Sequence, residues 1–355
     1  MKKRLVLLLI CLGIVCLVTP LSEGNAQEKV ITLTYSNYFP VAHKNNIIAE
    51  QWCKEVEKRT NGRIKINYFP AATLTPPAQT YDSVVNGIAD VGFSLMGFNR
   101  GKFPLTEVID LPLGAKSGYI GTKMINAYYN KFKPKEFDDV KVMYLHTYGP
   151  SFINTSKKAI NKLEDIKGLK IRCTGLTAKM LLAMGAAPVG MPMNETYDAI
   201  SRGVAEGVIC PIEAMQGWKL ADVIDYVNEV YGSSQVAGFY VVMNKNKWNA
   251  LPKDVQKIIE KINEEWIEKQ GKLWDEIDKE GRDYYMAMKG KKVITLSKLE
   301  NDRFAKAVAP ILADYVAEMK AKGLPGEEAL KFCQDFLKQS QEPKKSQEQT
   351  KSKKK

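Results

Sequence analysis

Arg172 is the residue whose type and setting best fit a specific piece of chemistry, the grip of a carboxylate. Around it, Leu169-Lys170-Ile171-Arg172-Cys173 alternates as a strand does, so Lys170 and Arg172 share one face and Leu169, Ile171 and Cys173 the other. A guanidinium is a planar fork that donates two parallel charge-assisted hydrogen bonds to a carboxylate, and it keeps its charge out of water. On local pattern alone, the same arginine also suits a solvated or ion-paired position.

Catalytic constellations are harder to assemble. His43 and His146 are the only two histidines. There is no GxSxG elbow, HExxH helix, Walker loop or GxGxxG fingerprint, so nucleophilic, zinc-hydrolase and nucleotide chemistry lack their usual parts. A hydrolase built on carboxylates alone stays open as the enzymatic rival, because Asp and Glu are plentiful. Cys53, Cys173, Cys210 and Cys333 are widely spaced, form no CxxC pair and have no histidine cluster beside them. They support neither a zinc site nor a thioredoxin-type motif, and buried free thiols are expected. No metal and no cofactor is implied.

The two ends of the chain read differently from the middle. Lys2, Lys3 and Arg4 precede an almost wholly apolar run from Leu5 to Val18, and Gly24-Asn25-Ala26 supplies small residues for cleavage, which together read as a secretory signal over 1–26. Cys11 and Cys16 follow Ile10 and Val15, whereas lipid attachment wants a small residue there. From Gln339 onward there is no aliphatic or aromatic residue, so 338–355 reads as a disordered basic tail. The net charge of +12 divides accordingly. Three basic residues against Glu23 place +2 in the signal, seven lysines against two glutamates place +5 in the tail, and +5 remains for the body. That is a mild bias able to steer anions, and it does not call for nucleic acid.

The body has the length of two lobes. Ile31-Thr32-Leu33-Thr34-Tyr35 alternates as a strand, a helix follows with Ile47, Ile48, Trp52 and Val56 on one face, Asn61-Gly62 stops it, and Ile64 to Phe69 is the next strand. Tyr81-Asp82-Ser83-Val84-Val85-Asn86-Gly87-Ile88-Ala89-Asp90 is echoed 116 positions later by Tyr197-Asp198-Ala199-Ile200-Ser201-Arg202-Gly203-Val204-Ala205-Glu206. Each copy reads as a helix closed by a left-handed glycine and followed by a buried strand, which suggests two lobes of shared substructure around one cleft. Asn161 and Glu164 fit a capping box, with Gly168 ending that turn, and Thr177 fits the cap of a helix closed by Gly185. Beyond Pro252, apolar residues from Val255 to Ile277 keep a helical spacing, which predicts a helix that can exceed 30 residues and bridge both lobes.

Leu163 to Arg172, followed by Gly185-Ala186-Ala187-Pro188-Val189 and Met191-Pro192-Met193, resembles the DctP-type solute-binding proteins of TRAP transporters, and the likeness runs from about Ile31 to Leu337. It includes Ser36 to His43, Asn61-Gly62-Arg63-Ile64, Gly87-Ile88-Ala89-Asp90 and Leu251-Pro252. The resemblance implies an α/β fold of two lobes, a cleft between them, a long helix crossing both, and one ligand-clamping arginine, onto which Arg172 falls. The expected division is 27–148 plus about 238–275 for the first lobe and 149–237 plus about 276–337 for the second. Many members carry a second basic residue where this chain has Gly149-Pro150-Ser151, and Asp-Gly-Gln-Glu-Asn-Pro where it reads Glu206-Gly207-Val208-Ile209-Cys210-Pro211. Ser151 and Cys210 therefore stand where relatives place a cation and an amide. Phe39, Met96, Phe98, Tyr148, Met193 and Phe239 fall on cleft-lining positions or on core, and Glu213 on a ligand contact or an interlobe ion pair. The implied role is a periplasmic receptor that binds a small organic acid, an apolar or aromatic monocarboxylate, and delivers it to one small and one large integral-membrane subunit; a receptor for another transporter or a sensor is the alternative.

Overall fold

A computed structural model describes residues 30–341, so the signal at 1–26 and all of the tail beyond Gln341 lie outside the described residues. Two sheets organise the chain. The first has the order β2-β1-β3-β10-β4, from β1 (Ile31–Asn37), β2 (Ile64–Phe69), β3 (Val91–Leu95), β4 (Val140–Thr147) and β10 (Gly238–Asn244). β1 runs parallel to β2 and β3, whereas β10 returns antiparallel between β3 and β4. The second sheet has the order β11-β9-β5-β8-β6-β7, from β5 (Ser151–Thr155), β6 (Lys170–Cys173), β7 (Ala187–Gly190), β8 (Gly207–Pro211), β9 (Tyr226–Glu229) and β11 (Lys292–Thr295). The chain passes from the first sheet to the second at 148–150, returns at 230–237, and crosses again along a helix.

The repeated decapeptide takes one conformation twice. α2 (Thr80–Val85) and α5 (Thr196–Ser201) each end on a glycine at φ +73°, Gly87 and Gly203, and each feeds at once into a fully buried strand, β3 or β8. A side chain at that φ would clash with its own backbone, which is why glycine recurs. β3 is the middle strand of its sheet, and β8 lies between β5 and β6.

α1 (Lys44–Arg59), α3 (Gly118–Phe132) and β4 pack along the N-terminal part of α8 (Lys253–Ala287), a helix of 35 residues. Its tryptophans fix it there: Trp266 Nε1 donates to the Ile48 carbonyl (3.1 Å), Trp274 Nε1 to His146 Nδ1 (2.9 Å), and Asn263 Oδ1 accepts from Trp52 (2.9 Å). Each buried indole is worth roughly 4–6 kcal/mol of gross apolar burial, while the exposed Lys44 pairs with Glu276 and Glu280 add at most about 1 kcal/mol each. Burial therefore sets the position of the helix. Farther along, Gly281 lies so close to Glu213 that a Cβ would sit 2.6 Å from its Cα, and Tyr285 Oη donates to the Ile224 carbonyl (3.4 Å). One rigid helix thus touches both lobes.

Several local expectations shift by a residue or an element. The capping carboxylate before the turn Leu163–Ile166 is Asp165, which accepts from the amides of Asn161 and Lys162 (3.0 and 3.1 Å), while Glu164 pairs with Arg303. Thr177 is the first residue of α4 (Thr177–Ala183), with its hydroxyl tied to Thr174. The sequence assigns 276–337 to the second lobe, and α9 (Lys298–Val308) does pack beside residues 231–233 there. α10 (Pro310–Ala321) touches the second lobe through Glu318, which pairs with Lys179 of α4 (3.1 Å), and both α10 and α11 (Gly326–Gln341) also reach the first lobe. Tyr315 Oη donates to the Leu105 carbonyl (2.8 Å), and α11 lies on α3. α11 also runs past the expected start of the tail at Lys338, and the Gln341 side chain bonds Lys116 and Gly114.

Candidate functional site

Strand ends from both sheets deliver side chains to one buried cavity. The first lobe supplies Tyr38 and Phe39 after β1, Leu95 and Phe98 at the end of β3, Tyr148 after β4 and Phe239 from β10, while α8 adds Trp274. The second supplies Arg172 and Thr174 around β6, Met193 after β7, Ile209, Cys210 and Pro211 from β8, then Glu213 and Trp218. The space they enclose is small, about 30 Å³, room for about one water molecule.

Arg172 is 4 % exposed, so the face expected to be polar is buried at this residue, while Lys170 on the same face is exposed. Its Nε and Nη2 both donate to the Met191 carbonyl (3.0 and 2.8 Å), which locks the plane of the guanidinium. Among the described residues no carboxylate pairs with it; the polar groups nearest in its field are the Cys210 thiol and the Tyr148 hydroxyl, and burial pushes its pKa down. Arginine nonetheless stays cationic at neutral pH. A buried cation without a counter-charge is costly. Nη1 and the second N–H of Nη2 remain for an anion.

Around this charge the walls are mostly rings. Phe239 stacks on Trp274 (centroids 5.5 Å, 29°), Tyr148 stands edge-on to both, and Trp218 of the second lobe stacks on Tyr38 of the first (5.9 Å, 23°). Tyr148 Oη accepts from Gln235 Nε2 (3.0 Å), which leaves its own proton for another partner, and burial keeps the phenol neutral.

Eight of the ten residues singled out from sequence line this cavity: Arg172, Tyr148, Met193, Cys210, Glu213, Phe239, Phe39 and Phe98. Glu213 is already engaged. Its Oε2 lies 3.1 Å from His43 Nε2, and since His43 Nδ1 accepts the Asn45 amide (3.1 Å), Nε2 is the donor of an interlobe hydrogen bond. Ser151 and Met96 are elsewhere. The Ser151 hydroxyl donates to the Gln235 carbonyl (3.1 Å), and Met96 faces a separate cavity of about 230 Å³. Sequence reasoning missed Tyr38, Leu95, Thr174, Ile209, Pro211, Trp218 and Trp274. Tyr38 lay inside a stretch already quoted, whereas Trp274 reads only as core of a long helix.

The cleft closes on glycine. A Cβ on Gly175, at φ +51°, would lie 3.1 Å from Gly97 Cα, so the turn after β3 and the turn after β6 meet backbone to backbone.

Cys173 and Cys210 are both free. β6 and β8 pair in parallel with Arg172 opposite Val208, so strand alternation sets Cys210 on the Arg172 face and Cys173 on the other. Burial lifts the Cys210 thiol to about 12, so it is not ionised at neutral pH. We expect mass mapping of protein purified without reductant to find all four thiols free, with alkylation only after denaturation. A Cys173–Cys210 disulfide would contradict this geometry.

Two α/β lobes joined by crossing segments and a shared helix, with a buried cavity between them, define a two-lobed solute-binding receptor. The family model for bacterial extracellular solute-binding proteins, family 7 (DctP), matches residues 35–319. A TRAP periplasmic solute-binding protein from Desulfovibrio salexigens is 32% identical, covering 88% of this chain and 97% of its own, with a TM-score of 0.77. One from Rhodoferax ferrireducens, in complex with copurified benzoate, is 28% identical over 87% and 98% of the two chains, TM-score 0.83. A third, from Bordetella bronchiseptica with bound mandelate, is 27% identical over 87% and 99%, TM-score 0.81. The chain belongs to the DctP family of extracellular solute-binding proteins. Its family and fold are those of receptors, not enzymes. No helix among the described residues is long and apolar enough to cross a membrane.

Proposed function

We propose that this receptor binds an apolar or aromatic monocarboxylate in the cleft, with Arg172 taking the carboxylate, and delivers it to the membrane subunits of a TRAP transporter. The observation that carries the reading is the buried, unpaired guanidinium held on the Met191 carbonyl and facing aromatic walls. One cation balances one carboxylate. Ser151 is turned to Gln235, Cys210 Sγ accepts from the Asn154 amide (3.3 Å), and Glu213 is held by His43, so no second cation faces the cavity for a second carboxylate, and the hydroxyls of Tyr38, Tyr148 and Thr174 are the neutral polar groups left on its wall. Each polar ligand group buried without a partner costs about 1–3 kcal/mol, while the rings reward hydrocarbon at about 25 cal/mol per Å². The relatives seen with benzoate and mandelate point the same way.

Native mass spectrometry for a co-purified acid, then calorimetry across C3 to C9 acids, tests this reading. Aryl and longer alkyl monocarboxylates are expected to bind best. Tight binding of succinate or sialic acid would overturn it.

A further inference from the structure

His146 touches no part of the cavity, yet it contacts two of its walls. On β4, directly opposite Phe239 of β10, it is wholly buried. Its ring lies almost parallel to that of Phe239 (centroids 4.8 Å, 7°), and its Nδ1 accepts the Trp274 indole N–H at 2.9 Å. Phe93 stands edge-on to it at 5.0 Å. An imidazole that accepts at Nδ1 and is neutral carries its proton on Nε2. Burial holds the ring neutral, its pKa well below 6.5 with no acidic group among the causes. His146 Nε2 has no hydrogen-bond partner and is fully enclosed. Retaining an unsatisfied N–H in an aromatic cage is unfavourable, and a phenylalanine would avoid it; what the imidazole adds over phenylalanine is the acceptor for Trp274.

The geometry points to His146 as a positioning residue for ligand selectivity: by holding the Trp274 indole through Nδ1 and the Phe239 ring by stacking, it fixes a flat aromatic wall of the cavity that favours aryl carboxylates over aliphatic acids of similar size. Trp274 and Phe239 belong to different elements, α8 and β10, and His146 is the ring that bonds one and stacks on the other. This inference rests on the reading that Arg172 takes the carboxylate, and it names what lies beyond that end of the ligand.

The test compares benzoate with cyclohexanecarboxylate by calorimetry, because the two share a carboxylate and differ in flatness. His146→Phe keeps a ring against Phe239 and leaves the indole N–H without its acceptor. It is expected to weaken benzoate about tenfold or more and to change cyclohexanecarboxylate much less. His146→Asn, which can place Oδ1 near the site of Nδ1, is expected to recover part of that preference. Equal losses for both acids, or an unchanged ratio, would overturn the proposal. If His146→Phe does not fold, nitrogen-15 NMR of the unaltered protein decides: an Nε2–H tautomer whose Nδ1 shift responds to benzoate supports it, and an Nδ1–H tautomer or an unresponsive ring overturns it. Arg172→Ala in the same panel separates the two readings. Retained benzoate affinity there would defeat the carboxylate assignment, whereas the His146 proposal is decided by the aryl-to-alkyl ratio and the tautomer.

Discussion

Arg172→Ala is expected to weaken carboxylate binding at least about a hundredfold while leaving the empty protein as stable as before, or more so. Removing the cation would strand a buried carboxylate, a loss of about 3–5 kcal/mol, and every 1.4 kcal/mol is about tenfold in affinity. The stability half of the expectation has the opposite sign for a physical reason. Arg172 is a desolvated charge with no carboxylate partner, held only by the Met191 carbonyl, and burial already disfavours its charged form. Taking it away relieves that cost. Thermal unfolding with and without ligand should therefore show the ligand-induced rise in Tm vanish, without a fall in the Tm of the free protein. Arg172→Lys is expected to rescue little, because a single ammonium cannot keep the Met191 bond and also present two coplanar donors. Near-normal affinity in Arg172→Ala would show that the carboxylate sits elsewhere.

The arginine was legible in sequence only in part, and the reason is instructive. Strand alternation places Lys170 and Arg172 on one face but cannot say that the face is buried at Arg172 and exposed at Lys170, since the carbonyl that holds Arg172, that of Met191, and the rings that share its cavity arrive from other elements. The family resemblance adds the long-range expectation of a cleft at Arg172, and Arg172 does line the cavity between the lobes. Elements carried by local chemistry survived well: the twin glycine-closed turns at Gly87 and Gly203, the strand Ile64–Phe69 and the long helix beginning after Pro252 all stand in the structure. Choices between near-equivalent neighbours did not. Asp165 rather than Glu164 caps its turn, because the turn starts one residue later than Asn161 suggests, on Lys162, which makes Asp165 its third residue and leaves Glu164 to pair with Arg303. Trp274 shows the deeper limit. At helical spacing it is indistinguishable from Trp266, and only the bond to His146 and the stack on Phe239 make one a cavity wall and the other a packing residue.

Gly97→Leu is expected to hold the cleft open and to weaken ligand binding by about tenfold to a hundredfold, with Gly97→Ala close to normal. The space between the walls, about 30 Å³, is far below the roughly 150 Å³ in which a benzene ring sits, so an aryl acid fits only if the lobes move apart and is gripped only if they come together around it. The turns that meet are those of Gly97 and Gly175. A Cβ on Gly97 would lie 3.5 Å from Thr174 Oγ1 and 3.7 Å from Gly175 Cα, ordinary contact distances, so alanine fits. Leucine adds three more carbons to that seam. Overpacking of this kind costs about 1–3 kcal/mol, and here the cost falls on the closed form alone. A ligand that needs the closed form loses apparent affinity in proportion to the fraction of molecules able to adopt it. Scattering supplies the structural half of the test. The unaltered protein is expected to contract when a saturating aryl acid is added, while Gly97→Leu keeps the larger radius at the same occupancy. Contraction and full affinity in Gly97→Leu would show that the lips are not where closure is decided. A loss as large in Gly97→Ala would instead assign the glycine a backbone role, since the space beside it admits the methyl group.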